Sequence, residues 1–197
     1  MGDQVMSRNS LRVRVPKDRV GVLIGHEGSV KSSIERKLLV KLSIDGETGD
    51  IEIAFEPEGN PADMFLARDM VKAVGRGFSP ENAFKLMEDD AILMVIDLRE
   101  FFGRSDSTID RVKGRIIGEH GKTRRNLEEM TGTKLSLYGH TVAIIGEVAH
   151  SDVAREAVEM FIKGKTHSTV YRFLQAKRHA LKRMETEIWR ESHENKG

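Results

Sequence analysis

Val20-Gly21-Val22-Leu23-Ile24-Gly25-His26-Glu27-Gly28 returns 93 residues later as Lys113-Gly114-Arg115-Ile116-Ile117-Gly118-Glu119-His120-Gly121. Both stretches have the form G-x-[LI]-I-G-x-x-G. A pattern that recurs at a fixed offset marks two copies of one structural unit. The flanks repeat as well. After the first copy, Ser29 to Leu39 places Val30, Ile34 and Leu38 four apart, the spacing of a helix. After the second, Lys122 to Thr131 does the same with Leu127 and Met130. Short stretches rich in Ile, Val and Leu follow. They are Val40 to Ile44 and Ile51 to Phe55 around the turn Asp45-Gly46-Glu47-Thr48-Gly49, then Lys134 to Leu137 and Thr141 to Ile145 around Tyr138-Gly139-His140.

A further helix closes each unit. Asn60-Pro61-Ala62-Asp63 supplies a cap, a proline at the first helical position and an acid in the first turn, and Met64, Phe65, Ala67, Met70, Val71 and Val74 form its apolar stripe, ended by Gly75 and Gly77. Ser151 opens the matching helix, with Val153, Ala154, Ala157, Val158, Phe161 and Ile162 inward, ended by Gly164. The first unit starts with a strand pointing Leu11, Val13 and Val15 in and Arg12 and Arg14 out. The second starts with the apolar run Ile92 to Ile96. A capped helix from Ser79-Pro80-Glu81 to about Glu88 joins them. Each unit therefore reads β-α-turn-α-β-β-α.

Composition narrows the function classes. Of the 197 residues 39% are hydrophobic and 32% charged, enough for packed cores under a charged surface and unlike a disordered chain. There is no cysteine, which removes disulfides, thiolate metal sites and cysteine nucleophiles. No run approaches the ~20 apolar residues of a membrane span, and Met1 to Ser10 lacks the apolar stretch of a signal peptide. The expected location is the cytoplasm, with no membrane partner. Net charge is +1, so affinity for a polyanion must come from local charge.

In the G-x-x-G turn the chain reverses between two helices. Glycines allow positive φ and leave bare backbone, and the following helix directs its free N–H groups at the same spot. An extended phosphodiester fits there. Ile24 and Ile117, just before each turn, would floor a groove for unstacked bases. These residues resemble, twice over, the KH module that grips about four nucleotides of single strand. The resemblance implies an α+β fold: two tandem type I (eukaryotic-type) KH domains, each a three-stranded antiparallel sheet backed by three helices. The expected layout is domain one over 8–77, a linker helix over 78–90, domain two over 91–164, and a C-terminal helix and tail over 165–197.

Local charge separates the copies. From Arg111 to Arg125 six bases face the single acid Glu119, a net of +5, whereas Lys17 to Lys31 nets +1. Phosphate contacts dominate nucleic-acid affinity, so the second unit is the better RNA platform. Its expected contacts are Lys113, Gly114, Arg115, Ile117, Gly118, Glu119, His120, Gly121, Lys122, Thr123, Arg124 and Arg125. Secondary contacts are Ile24, Gly25, His26, Glu27, Gly28 and Lys31. The bland alternative has the cations at 122 to 125 lacing a solvated helix with Glu128 and Glu129. Glu47 to Asp63 holds six acids and no base, a face for a protein or basic partner or simply a solvated rim. Between Lys163 and Arg190, eight bases face two acids along an expected long helix whose apolar side carries Val170, Phe173, Leu174, Ala180, Leu181, Met184, Ile188 and Trp189. Its charged side could pack across a domain, extend an RNA surface or meet a partner.

Enzyme patterns fail on spacing. Gly121-Lys122-Thr123 ends like a phosphate-binding loop, but the glycine required five positions earlier is Ile116. The seven histidines show no metal-ligand spacing, and Glu88, Asp89 and Asp90 read as a solvated helix end. Neither cofactor, metal nor catalysis is expected.

Beyond the KH pattern, Gly75-Arg76-Gly77-Phe78-Ser79-Pro80-Glu81-Asn82-Ala83, Leu86-Met87-Glu88-Asp89-Asp90, Ile96-Asp97-Leu98-Arg99-Glu100 and Gly164-Lys165-Thr166-His167-Ser168-Thr169-Val170-Tyr171 are similar to the tandem-KH ribosome-assembly factors named as partners of the Nob endonuclease. The short N-terminus looks like the archaeal version. The resemblance implies a non-catalytic factor for pre-rRNA processing. It would bind the 3′-terminal region of pre-16S rRNA on the pre-30S subunit and position the Nob-type endonuclease. It also implies an association with the α subunit of initiation factor two. In that family the second domain is the principal RNA contact, which maps onto Gly118 to Gly121 and their basic neighbours. The first G-x-x-G, which many eukaryotic relatives lose, is intact here as Gly25-His26-Glu27-Gly28. A KH-fold adaptor whose main ligand is protein is the alternative.

Overall fold

A computed structural model describes residues 10–56 and 58–194, with side chains up to Ala180. The chain divides into two compact units at Glu88 and Asp89. In the first, β1 (Ser10–Arg14) leads to α1 (Lys17–Ile24), the turn, α2 (Ser29–Leu38), β2 (Val40–Ile44), β3 (Asp50–Phe55) and α3 (Pro61–Gly75). The sheet order is β1-β3-β2, antiparallel throughout, with Val13 opposite Ile51 and Leu42 opposite Ile53. Alternation sends Val13, Leu42, Ile51 and Ile53 into the core with Leu23, Ile34, Leu38 and the α3 residues Met70, Val71 and Val74. Each such side chain contributes roughly 1.5–3 kcal/mol by leaving water. Asn60 caps α3 as its sequence predicts, Oδ1 accepting from the Ala62 N–H at 2.9 Å. Phe65 does not join the inward stripe: next to Met64 it falls about 100° round the helix, where it is exposed with the Arg68 guanidinium 5.3 Å from its ring.

Beyond α3, the expected joining helix is two pieces. α4 (Pro80–Phe84), capped by Ser79 Oγ, is followed by a single 3₁₀ turn at Lys85–Met87. Glu88, Asp89 and Asp90 are exposed.

The second unit repeats the order. β4 (Ala91–Asp97) is followed by α5 (Arg99–Phe102), α6 (Asp106–Ile117), the turn, α7 (Lys122–Thr131), β5 (Lys134–Tyr138), β6 (Thr141–Glu147) and α8 (Val148–Ile162). Its sheet order, β4-β6-β5, is the same antiparallel arrangement. α5 is an insertion the sequence pattern did not announce. Ser151 does not open α8: β6 runs on to Glu147, which turns the chain directly into helix at Val148, leaving Ser151 fully buried within it. α9 (His167–Glu194) belongs to this unit, because Val170 and Leu174 are fully buried in the core formed by Val112, Ile116, Leu127, Val142, Ile144, Val158 and Phe161. Leu181, Met184, Ile188 and Trp189 lie outside the described side chains.

Candidate nucleic-acid interface

The two turns have the same backbone. Gly25 and Gly118 sit at φ/ψ 75/175 and 71/176, Glu27 and His120 at 50/30 and 48/29, and Gly28 and Gly121 at 76/13 and 75/14. The first glycine of each turn occupies a region essentially closed to other residues. A Cβ on Gly25 would also stand 2.5 Å from Val30 Cγ2, and one on Gly118 would strike the Thr123 side chain. The second glycine has a different role. A Cβ on Gly28 would meet nothing within 4 Å, and one on Gly121 only the movable Arg125 Nη1 at 3.3 Å. These are the bare positions a backbone ligand could approach.

Glu27 and His120 are held in the left-handed region without glycine's freedom, a strain of about 1 kcal/mol or more that the surrounding helices maintain. His120 and Glu119 form the exposed tip, their side chains 91% and 90% accessible and 3.9 Å apart. Neither α2 nor α7 has a side-chain cap at its N-terminus, so the glycine turn alone precedes the positive end of each helix dipole. On the helix before each turn, Gly21, Ile24 and Gly25, and likewise Gly114, Ile117 and Gly118, fall on one face. Gly21 and Gly114 open onto empty space, and both isoleucines are half-buried. A narrow bare strip bordered by an apolar side chain therefore leads to each loop.

The cations named from sequence divide into two groups. Lys122 and Arg125 are exposed and form no ion pair among the described residues. They do not lace α7 with Glu128 and Glu129. Arg124 is half-buried, with its Nε unpartnered among the described residues. Lys113 and Arg115 point elsewhere. Lys113 Nζ donates to the Gly139 carbonyl at 2.7 Å and lies 3.6 Å from Asp110. Arg115 donates from Nη1 to the Phe161 carbonyl at 3.2 Å and from Nη2 to the Lys165 carbonyl, closing the end of α8. Thr123 is buried against Gly118. In the first unit Lys31 is 3.8 Å from Glu35, and the turn carries His26 and Glu27 with no cation of its own.

Three features escaped sequence reasoning. Glu35 Oε1 accepts from the Leu42 N–H and Glu128 Oε1 from the Leu135 N–H, both at 2.8 Å, tying the helix after each turn to the sheet's edge strand. The pairs are 93 residues apart, so extending the repeat would have found them. Arg19 donates to the carbonyls of Val74 at 2.8 Å and Phe78 at 2.6 Å. Val74 and Phe78 stand to the C-terminal end of α3 as Phe161 and Lys165 stand to that of α8, one inside the helix and one three residues beyond it. Because Arg19 and Arg115 are not equivalent in the repeat, no alignment would have paired them. Third, His167 Nε2 donates to the Arg115 carbonyl at 3.0 Å and packs 5.0 Å from the Phe161 ring, seating the start of α9 against the last turn of α6.

Among the described residues no group of His, Asp and Glu could hold a metal ion, and no helix is long and apolar enough to cross a membrane.

Comparison with known proteins is consistent with this geometry. Residues 92–179 match the eukaryotic type KH domain (KH domain type I) in the form of the second such domain of PNO1. KH domain-containing protein MJ0443 of Methanocaldococcus jannaschii is 46% identical over 178 residues, spanning 90% of this chain and 78% of that one. The chain belongs to the PNO1/Dim2 family of KH-domain proteins. Pre-rRNA-processing protein PNO1 of Kluyveromyces lactis is 26% identical over 165 residues, and this chain spans 60% of its length. Among solved structures, the a/eIF2alpha–aDim2p–rRNA complex of Pyrococcus horikoshii contains a chain 40% identical, with a TM-score of 0.83, covering 90% of this chain and 98% of that one. Within the family architecture the second unit is the KH domain the match identifies, and the first unit has the same strand order and turn geometry.

Proposed function

We propose that the protein is a non-catalytic RNA-binding factor of small ribosomal subunit biogenesis, built from two tandem type I KH domains. The proposed divisions are 8–77 and 91–164, joined by 78–90 and followed by 165–197. The second G-x-x-G loop holds single-stranded RNA from the 3′-terminal region of pre-16S rRNA in the cytoplasm and assists maturation of that end. The observation that carries this is the second loop itself: bare backbone at Gly121, an uncapped helix start, and Lys122 and Arg125 exposed beside it with no ion pair among the described residues. Family membership supports the ribosomal setting, since relatives are named for pre-rRNA processing and one was crystallised with rRNA and a/eIF2alpha. A Nob-type endonuclease and the α subunit of initiation factor two are the proposed protein partners.

The first unit favours a second role. Its turn has no Lys or Arg, and its stretch from Glu47 to Asp63 holds six acids and no base, features of a surface that meets protein instead of RNA. If that surface dominates, the protein is chiefly an adaptor. The deciding experiment is titration of a labelled strand matching the 3′ end of small-subunit rRNA. Its arms are the wild type, the double variant Glu119→Asp/His120→Asp and the double variant His26→Asp/Glu27→Asp. With three or four phosphates contacted, the log–log salt slope is expected at about −2 to −3. Binding lost only in the 119/120 variant supports the second loop as reader. Equal losses refute the division of labour, and no wild-type binding at low salt refutes RNA as an independent ligand.

A further inference from the structure

We propose that the α8–α9 connection and the first turns of α9 form a second RNA-backbone surface, continuing from the second G-x-x-G loop and holding the next nucleotides of the same strand. This rests on the RNA-binding role above and extends it to a surface outside the loop.

The charge is unusual in kind. From Lys163 to Ala180 there are five bases and no acid in 18 residues, whereas a merely solvated helix face normally mixes both signs. Two of the five are committed to α8: Lys163 is 3.6 Å from Glu159, and Lys177 is 3.4 Å from Glu156 and 5.4 Å from the Phe173 ring. Lys165, Arg172 and Arg178 are exposed and form no ion pair among the described residues.

Direction follows from helix geometry. Val170 and Leu174 are fully buried, so they fix the inward side of α9. At about 100° per residue, Arg172 lies roughly 160–200° from both, facing solvent. Position follows from the hydrogen bonds. Arg115 donates to the Lys165 carbonyl and its own carbonyl accepts from His167, so this connection is pinned to the last turn of α6. Gly118 is three residues further on, about 4.5 Å of helix rise. Asn126 Nδ2 donates to Tyr171 Oη at 3.4 Å, so α9 also runs beside α7, the helix that carries Lys122 and Arg125. The free cations of the loop and of α9 thus belong to one braced assembly. A strand leaving the loop meets further positive charge with no acid of that segment in the way.

The test compares five- and twelve-nucleotide strands of one rRNA 3′-end sequence, titrated from 0.05 to 0.4 M salt. The proteins are the wild type and the double variant Lys165→Gln/Arg172→Gln, whose folding is checked by thermal melting. Both altered side chains face solvent, so the melt is expected unchanged. Two extra phosphate contacts steepen the slope for the longer strand by about 1.4. If that contribution vanishes near 1 M salt, the double variant loses about 25-fold affinity for the twelve-mer at 0.1 M. Its five-mer affinity should stay within about twofold of wild type. Equal affinity of the wild type for both lengths overturns the extended surface while leaving the loop reading intact, whereas failure of the wild type to bind the five-mer removes the loop reading itself. A variant unchanged toward RNA but weakened toward a polyglutamate peptide overturns the proposal in favour of an acidic protein partner.

Discussion

Arg115 offers the sharpest discrimination between a phosphate ligand and a structural clamp, since sequence assigns it the first role and its hydrogen bonds the second. Its guanidinium spans the Phe161 and Lys165 carbonyls, and its aromatic neighbour is the Phe161 ring, 5.9 Å away. Hydrogen bonds from a charged donor are worth about 1.5–3 kcal/mol each when well shielded. Arg115 is only half-buried, so the pair is discounted to about 2 kcal/mol in total. For a domain of this size that corresponds to a drop of roughly 10 °C in melting temperature for Arg115→Ala. Arg115→Lys, with one compact donor group, cannot span two carbonyls in the same fork geometry and should recover less than half. RNA titrated across a salt series gives the second readout. A cation that neutralises one phosphate of a single strand contributes about 0.7 to the slope. Lys122→Ala is therefore expected to flatten the slope by about 0.7, with affinity about fivefold lower at 0.1 M salt and an unchanged melt. Arg115→Ala is expected to do the reverse, with a lowered melt and an unchanged slope. A flattened slope with an unmoved melt for Arg115→Ala would refute the clamp and return the residue to the RNA surface.

The two glycines of the second loop should separate in the same way. Gly118→Ala forces a Cβ into Thr123 from a backbone region closed to alanine and should cost about 3 kcal/mol in denaturant unfolding of the second unit. Gly121→Ala, in the ordinary left-handed region, should cost about 1 kcal/mol yet weaken RNA binding at temperatures where the unit stays folded. At the tip, Glu119→Gln removes an anion from beside the proposed phosphate path and should tighten binding about two- to fivefold at low salt, an effect that shrinks as salt rises. In the first unit, the N–H groups of Glu47 and Thr48, the Thr48 hydroxyl and the charge of Lys17 hold the Asp45 carboxyl below its usual 3.8. Because the folded value is the lower one, this contribution to the β2–β3 turn is complete above about pH 4 and disappears as pH falls through the folded value. A carbon-13 carboxyl titration should place the Asp45 midpoint below 3.8, and a midpoint at or above that value would contradict the hydrogen-bonded turn.

Why so much of the fold was legible lies in the kind of signal each element carries. Strands β1 to β3 alternate, α3 has an Asn-Pro start and a heptad-like apolar stripe, and the loop glycines recur at a fixed offset. These are local patterns, and each restricts its own backbone before any tertiary contact forms. What stayed hidden depends on the partner across space. The helix start misplaced at Ser151 is an example: serine is a good cap in isolation, yet the extra length of β6 buries it inside the helix. The cations are another. Lys113, Arg115, Lys122 and Arg125 are equivalent in a charge count. Only the carbonyls of Gly139, Phe161 and Lys165 reveal that the first two are tied to the scaffold, while the last two form no ion pair among the described residues. The net of +5 between Arg111 and Arg125 thus overstates the side chains of that segment available to a ligand. It also explains why two loops with nearly superimposable backbones need not share a ligand. Backbone geometry is common to both loops and cannot by itself tell them apart as proposed phosphate sites. Uncommitted charge, present at Lys122 and Arg125, distinguishes the second from the first, where Lys31 faces Glu35.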